Sequence, residues 1–206
     1  NENTTKTLLS GIDSQEKESF APFQVHDSYI ISPIHSGVIF IDQQKAHERI
    51  LFEKFLNKLK DTEAVTQQQL FPKRVELNKK EMTVIEEMKD TLGAMGFDIG
   101  ELGDTTLVIN GVPSECTDEE NIESVIESLI DQYQFGMKND ITDNKKKVAM
   151  ALGRSVSVKK GKKLAEKESK QLIDELFACE VPYYTPDRKP TIVTFTLDEL
   201  AKRFEK

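Results

Sequence analysis

Cysteine is scarce in this chain: Cys116 and Cys179 are the only two, and they form no CxxC pair. That excludes a paired-thiol motif and predicts a buried thiol at each position, which fits a cytoplasmic location. No apolar run approaches the roughly 18 residues needed to span a bilayer, so no membrane partner is expected. The first residues lack the form of a secretory signal. A glycine-rich phosphate cradle is absent too, so no ATP site is expected in these residues. Positive charge is in deficit, with 28 Lys and Arg against 36 Asp and Glu and a formal net charge of −8. That balance excludes a surface coated for nucleic acid, so any such contact must be a local patch.

What remains is a polar globular sequence. Its 206 residues allow one large domain or two small ones. Residues 1–20 carry little apolar material beyond Leu8, Leu9 and Ile12 and read as a tail or linker. Residues 25–31 and 38–41, with Pro33 and Ser36-Gly37 between them, predict two strands joined by a short turn. The second is apolar on both faces and should be central. Asp42 can then cap a helix whose apolar stripe is Ile50, Leu51, Phe55, Leu56 and Leu59.

Residues 67–72 look like a linker broken by Pro72, with a short strand at 74–77. Asn78 and Glu81 open a helix carrying Met82, Ile85, Met88, Leu92 and Met95, and Gly96 suits its C-terminal cap. Residues 97–99 and 105–109 predict a strand pair, and Asn110-Gly111 another turn. Thr117 and Glu120 make a second capping box before a helix bearing Ile122, Val125, Ile126, Leu129, Ile130 and Tyr133. A polar loop, a helix at 145–158 and an amphipathic helix at 166–179 follow. A proline-bounded loop at 182–190, a strand at 191–197 and a short last helix complete the chain. The order predicts an α/β (α+β) fold in two subdomains, one built from both ends of the chain.

The segment from Asp42 to Glu53 carries the clearest chemistry. Asp42, Gln43, Glu48 and Glu53 resemble the D-Q-H-A-x-x-E-x-x-x-x-E signature of the MutL C-terminal domain, with Gln44 at the His position and Lys45 at the Ala position. Two further motifs of that family have counterparts. An A-C-x-R-S-like helix is matched by residues 149–155; its Cys falls on Leu152 when aligned from the N-terminal side and on Arg154 when aligned from Gly161. A C-P-H-G-R-P segment is matched by residues 185–190, with Thr185 for Cys and Asp187 for His. In the family's endonuclease-active members these motifs mark a divalent-metal site. Zinc prefers thiolate and imidazole, so the substitutions predict no metal site of that kind and no catalytic residue. A weak all-oxygen magnesium or manganese site at Asp42, Glu48 and Asp187 is the minority alternative. Glu53 reads as structural, an i,i+4 partner of Arg49. His47 reads as a packing or surface histidine.

Two other segments carry binding readings. Gln67, Leu70 and Pro72 resemble the family's Q-x-x-[LI]-x-P sliding-clamp motif, an extended peptide offering an amide and apolar side chains to a pocket. The competing reading is a linker with Leu70 and Phe71 packed locally. Lys145, Lys146, Lys147, Arg154, Lys159 and Lys160 concentrate positive charge and suit non-specific phosphate contact. A solvated helix face is the alternative. The absence of interleaved aromatics excludes a single-strand stacking platform.

The resemblance implies a disordered linker at 1–20, an internal dimerisation subdomain at 21–66 and 153–206, and an external regulatory subdomain at 67–152. It implies a non-catalytic homodimerisation domain of a DNA mismatch-repair protein that couples recognition by MutS to downstream repair. Expected partners are a second copy, MutS, a sliding clamp and non-specific DNA. No cofactor is expected in this domain; ATP and magnesium belong to the family's N-terminal ATPase. The alternatives are a nicking endonuclease with a carboxylate-only site, a clamp-tethered DNA-binding adaptor, and a dimerising scaffold without a repair role.

Overall fold

The computed structural model describes residues 22–60, 65–116, 121–137 and 143–205. The expected tail, the Thr117–Glu120 box and residues 138–142 of the polar loop lie outside them. The chain opens with three strands, β1 (Phe23–Val25), β2 (Tyr29–Ile34) and β3 (Gly37–Asp42), followed by α1 (Gln43–Lys58). The predicted hairpin therefore gains a strand. The extra turn is made by His26 and Asp27 at φ of 51° and 45°, left-handed conformations at residues that give no glycine signal.

A block of β4 (Thr66–Glu76), α2 (Lys79–Ala94), β5 (Asp98–Leu102), β6 (Thr106–Pro113) and α3 (Ile122–Met137) comes next. The expected linker at 67–72 is instead part of β4, which pairs with β6 on both sides of a register shift between Gln68 and Lys73. The bulge lets Pro72 sit in a strand without breaking the ladder on either side. Asn110-Gly111, expected as a turn, continues β6, where Gly111 faces Gln68 and Asp98. The chain closes with α4 (Asn144–Val156), α5 (Glu166–Phe177), β7 (Ile192–Thr196) and α6 (Leu197–Phe204).

All strand pairs are antiparallel, in a four-stranded sheet ordered β1-β2-β3-β7 and a three-stranded sheet ordered β4-β6-β5. This is the expected α+β class. As the pattern of residues 38–41 predicted, β3 is interior to its sheet. Its first residue, Gly37, lies so close to β7 that an added Cβ would fall 2.0 Å from the Phe195 carbonyl oxygen.

Two apolar cores form. The larger gathers Leu51 and Phe55 of α1 with Val75, Leu107 and Ile109 of the three-stranded sheet, and with buried residues of α2, α3 and α4. The smaller joins Ile30, Ile39, Ile41 and Ile192 of the four-stranded sheet to Ala46, Ile50, Leu172 and Leu176. The single apolar stripe read on α1 thus serves both cores. Residues 66 and 67 are consecutive in β4, and 152 and 153 are consecutive in α4. At Gly153 an added Cβ would stand 3.3 Å from the Glu48 carbonyl oxygen, so α4 lies directly on α1.

The other face of the four-stranded sheet is different. Strand register places Phe23, Val25, Tyr29, Ile31, Val38, Phe40, Val193 and Phe195 on it. Phe23 is 56% exposed, Tyr29 41%, Val193 48% and Phe195 37%. Helix α6 adds Leu197 and Phe204, both exposed, and buries no residue of its own.

Candidate functional site

The cleft begins at Asp42, the last residue of β3. Its Oδ1 accepts from Lys45 N at 3.1 Å and caps α1 as expected. Its Oδ2 lies 3.6 Å from Lys45 Nζ and 3.4 Å from Lys160 Nζ. One turn into α1, Glu48 is buried, and its Oε1 accepts from Arg154 Nε at 2.6 Å. The same guanidinium donates through Nη2 to Asp187 Oδ2 at 2.8 Å, and Lys189 Nζ meets that oxygen at 2.9 Å. Thr185 donates its hydroxyl hydrogen to Asp187 Oδ1. Gln44 lines the cleft beside Glu48, together with Lys45, Arg154, Lys159, Lys160 and Lys189; its volume is about 690 Å³.

Charge follows burial here. Burial raises the Glu48 carboxyl above its usual range, and Arg154 only partly offsets this. Burial also works against the ionised form of Asp187, but hydrogen bonds from Thr185 and Lys189 and the Arg154 charge outweigh it and hold the group at about 2. Burial disfavours the Arg154 cation, yet Glu48 and Asp187 together raise its pKa.

The packing separates the two residues on which the Cys of the A-C-x-R-S-like helix falls. Leu152 is fully buried in the larger core, whereas Arg154 faces Glu48 and Asp187. The residues brought together fit a metal poorly. Arginine carries no lone pair to offer. Thr185 is committed to Asp187 and the Lys189 backbone, and His47 Nδ1 accepts from Val158 N at 2.9 Å. Burial, and then the Lys54 charge, lower His47 to about 4, in keeping with a packing histidine.

Gln43 and Glu53 bind protein groups. Gln43 is fully buried and its Nε2 lies within reach of the carbonyls of Asp27, Lys159 and Lys162. Glu53 pairs with Arg49 at 3.3 Å and also accepts from the backbone N–H groups of Glu180 and Val181. Sequence reasoning overlooked Gln24, which donates to Gln43, and the anchoring role of Arg49, which donates to the Tyr184 carbonyl at 2.6 Å. No local pattern marks Gln24. Lys45 and Lys189 stood inside the compared motifs, but nothing local showed that they border one cleft.

The remaining expected residues lie elsewhere. Gln67, Leu70 and Pro72 sit on β4 at its bulge, and Leu70 and Phe71 are 86% and 74% exposed rather than packed locally. Lys145, Lys146 and Lys147 start α4, roughly 14 Å along the axis from Arg154. Lys147 stands over the Tyr133 ring, and Lys159 Nζ caps the end of α4 by donating to the carbonyls of Arg154 and Ser155.

This arrangement defines an α+β domain with an ion-paired cleft and a bare apolar sheet face, which meet where Lys160 stands over the Tyr29 ring. A family model described as "MutL C terminal dimerisation domain" matches residues 23–164. The chain is 37% identical over 204 residues to the DNA mismatch repair protein MutL of Flavobacterium johnsoniae, covering 99% of this chain and 31% of that protein. It is 34% identical to the MutL of Chlorobium chlorochromatii, over 98% of this chain and 32% of that protein. With the MutL of Christiangramia forsetii the identity is 32%, over 98% and 32%. The chain spans about a third of the length of these relatives. It belongs to the MutL C-terminal dimerisation domain family. No helix among the described residues is long and apolar enough to cross a membrane.

Proposed function

We propose that this chain is the homodimerising part of a cytoplasmic DNA mismatch-repair MutL protein, and that it pairs through the outer face of its four-stranded sheet. The observation that carries this reading is the contiguous apolar surface of Phe23, Tyr29, Val38, Phe40, Val193 and Phe195, of which Phe23, Tyr29, Val193 and Phe195 stay exposed among the described residues. Homodimer interfaces are more apolar than ordinary surface, and a self-complementary face suits a two-fold pair. A second copy is the occupant that the family's dimerisation role supports. The domain itself does no chemistry in this reading. It couples mismatch recognition by MutS to downstream repair by holding two N-terminal ATPase regions together, and ATP and magnesium act there.

The ion-paired cleft supports the non-catalytic reading over a carboxylate-only nicking endonuclease, since Asp42, Glu48 and Asp187 each face a basic side chain. Non-specific DNA contact falls to the exposed lysines of the cluster, Lys145, Lys146, Lys159 and Lys160. The bulge on β4 favours a sliding clamp as a further partner, because it presents Leu70 and Phe71 to solvent beside Gln67 and Pro72.

Sedimentation tests the dimer. Wild type should sediment as a dimer, and Val193→Lys with Phe195→Lys should give a folded monomer, because both side chains are exposed in the protomer. A double variant that stays dimeric sinks the proposed interface.

A further inference from the structure

We infer that Arg154 is the resident cation of the cleft, standing between Glu48 and Asp187 in place of a divalent ion and making the cleft an ion-pair joint that fastens the 180–190 segment to α1 and α4. The residues that would hold a metal in the compared motifs are present as a frame, and their disagreement with a metal is specific. Glu48 and Asp187 direct carboxylate oxygens at two different nitrogens of one planar guanidinium, at 2.6 and 2.8 Å. A guanidinium stays protonated at any working pH and cannot ligate, so it both satisfies and blocks these oxygens. Lys189 adds a second cation on Asp187, and Lys45 and Lys160 neutralise Asp42. Basic side chains thus outnumber the acids that line the cleft, Glu48 and Asp131, and a dication entering it meets net positive charge.

What the joint does follows from the other anchors of the same segment. Arg49 Nε donates to the Tyr184 carbonyl, Glu53 accepts from Glu180 N and Val181 N, and Lys45 Nζ donates to the Pro190 carbonyl at 3.4 Å. One face of α1 therefore holds the segment along its length, with Arg154 supplying the cross-link to α4. The segment leads directly into Thr191 and β7, whose Val193 and Phe195 lie on the bare sheet face. The cleft is thus a positioning device for β7. This inference concerns the cleft and stands whether or not that face pairs with a second copy.

Calorimetric melting combined with titration of Mn²⁺ tests it, on wild type, Arg154→Ala and Arg154→Lys. Wild type should bind Mn²⁺ only weakly and melt at the same temperature with EDTA or Mn²⁺. Arg154→Ala should melt lower, bind Mn²⁺ at least about tenfold more tightly than wild type, and regain stability when the ion is added. Arg154→Lys keeps the charge but loses the fork, so it should melt between the two and stay blind to Mn²⁺. Wild type that binds Mn²⁺ as tightly as Arg154→Ala overturns the inference, as does an Arg154→Ala protein with unchanged melting. Should Arg154→Ala fail to fold, Arg154→Gln carries the same comparison. Loss of dimerisation by the sheet-face double variant, with wild-type metal behaviour intact, would leave this inference untouched.

Discussion

Gln24 Nε2 donates to Gln43 Oε1 at 2.5 Å, joining β1 to the first turn of α1. Around that bond, Gln24 accepts from Leu164 N, and Gln43 Nε2 reaches the carbonyls of Asp27, Lys159 and Lys162. Two amide side chains therefore hold the left-handed β1–β2 turn and the basic 159–162 turn against each other. The turn carrying Lys159 and Lys160 is placed by this buried pair.

Removing the donor at the centre should be costly. Gln43→Ala removes a fully buried amide and leaves part-buried carbonyls without their partner, a loss of about 1–3 kcal/mol. Gln43→Glu should cost at least as much, because a carboxylate would face three carbonyl oxygens. Urea unfolding measures both, and a Gln43→Ala midpoint equal to wild type would refute the role assigned to this side chain.

A pH dependence follows from His47. In the unfolded chain it takes a proton below its ordinary 6.5; in the fold, burial and Lys54 delay that to about 4. The unfolded state thus binds more protons across this window, so the stability contribution is complete above pH 6.5 and is lost as pH falls towards 4. The upper limit is about 3 kcal/mol. Lys159, Lys162 and Glu175 also face the ring and modulate the window. His47→Asn keeps an acceptor for Val158 N and removes the titration, so its unfolding free energy should change less between pH 7 and pH 4.5. Identical slopes for the two proteins would exclude His47 as the titrating group.

The bulge on β4 predicts a separation of binding from stability. Leu70 and Phe71 make little of their apolar surface available to the core, so Leu70→Ala and Phe71→Ala should shift stability by less than about 0.5 kcal/mol. If a sliding clamp docks here, the same changes should weaken it by about tenfold or more, as for other exposed anchors. Surface plasmon resonance against the clamp, beside a urea titration, reads both quantities. Unchanged clamp affinity in the double variant would remove the bulge from consideration.

Much of the fold could be read locally, because helices and central strands advertise themselves by period. The stripe on α1, the Asn78–Glu81 box and the apolar run of β3 all appear where their residues predict. β1 escaped because its turn uses His26 and Asp27 at positive φ, residues without a turn signature strong enough to notice. β4 was misread because Pro72 looks like a breaker until a partner strand shows that the bulge absorbs it.

Residue types alone determined that soft metal donors are missing from the three compared motifs, since ligand chemistry is a property of each side chain. They also determined the α+β class, through hydrophobic period. Only the folded chain could decide that Arg154 rather than Leu152 faces the acids. That choice depends on which side of α4 lies against α1, and residues 106 positions apart meet there for reasons of packing that no local pattern records. The same holds for the bare sheet face: alternation predicts an apolar strand, but whether both of its faces are covered is a property of the whole protomer.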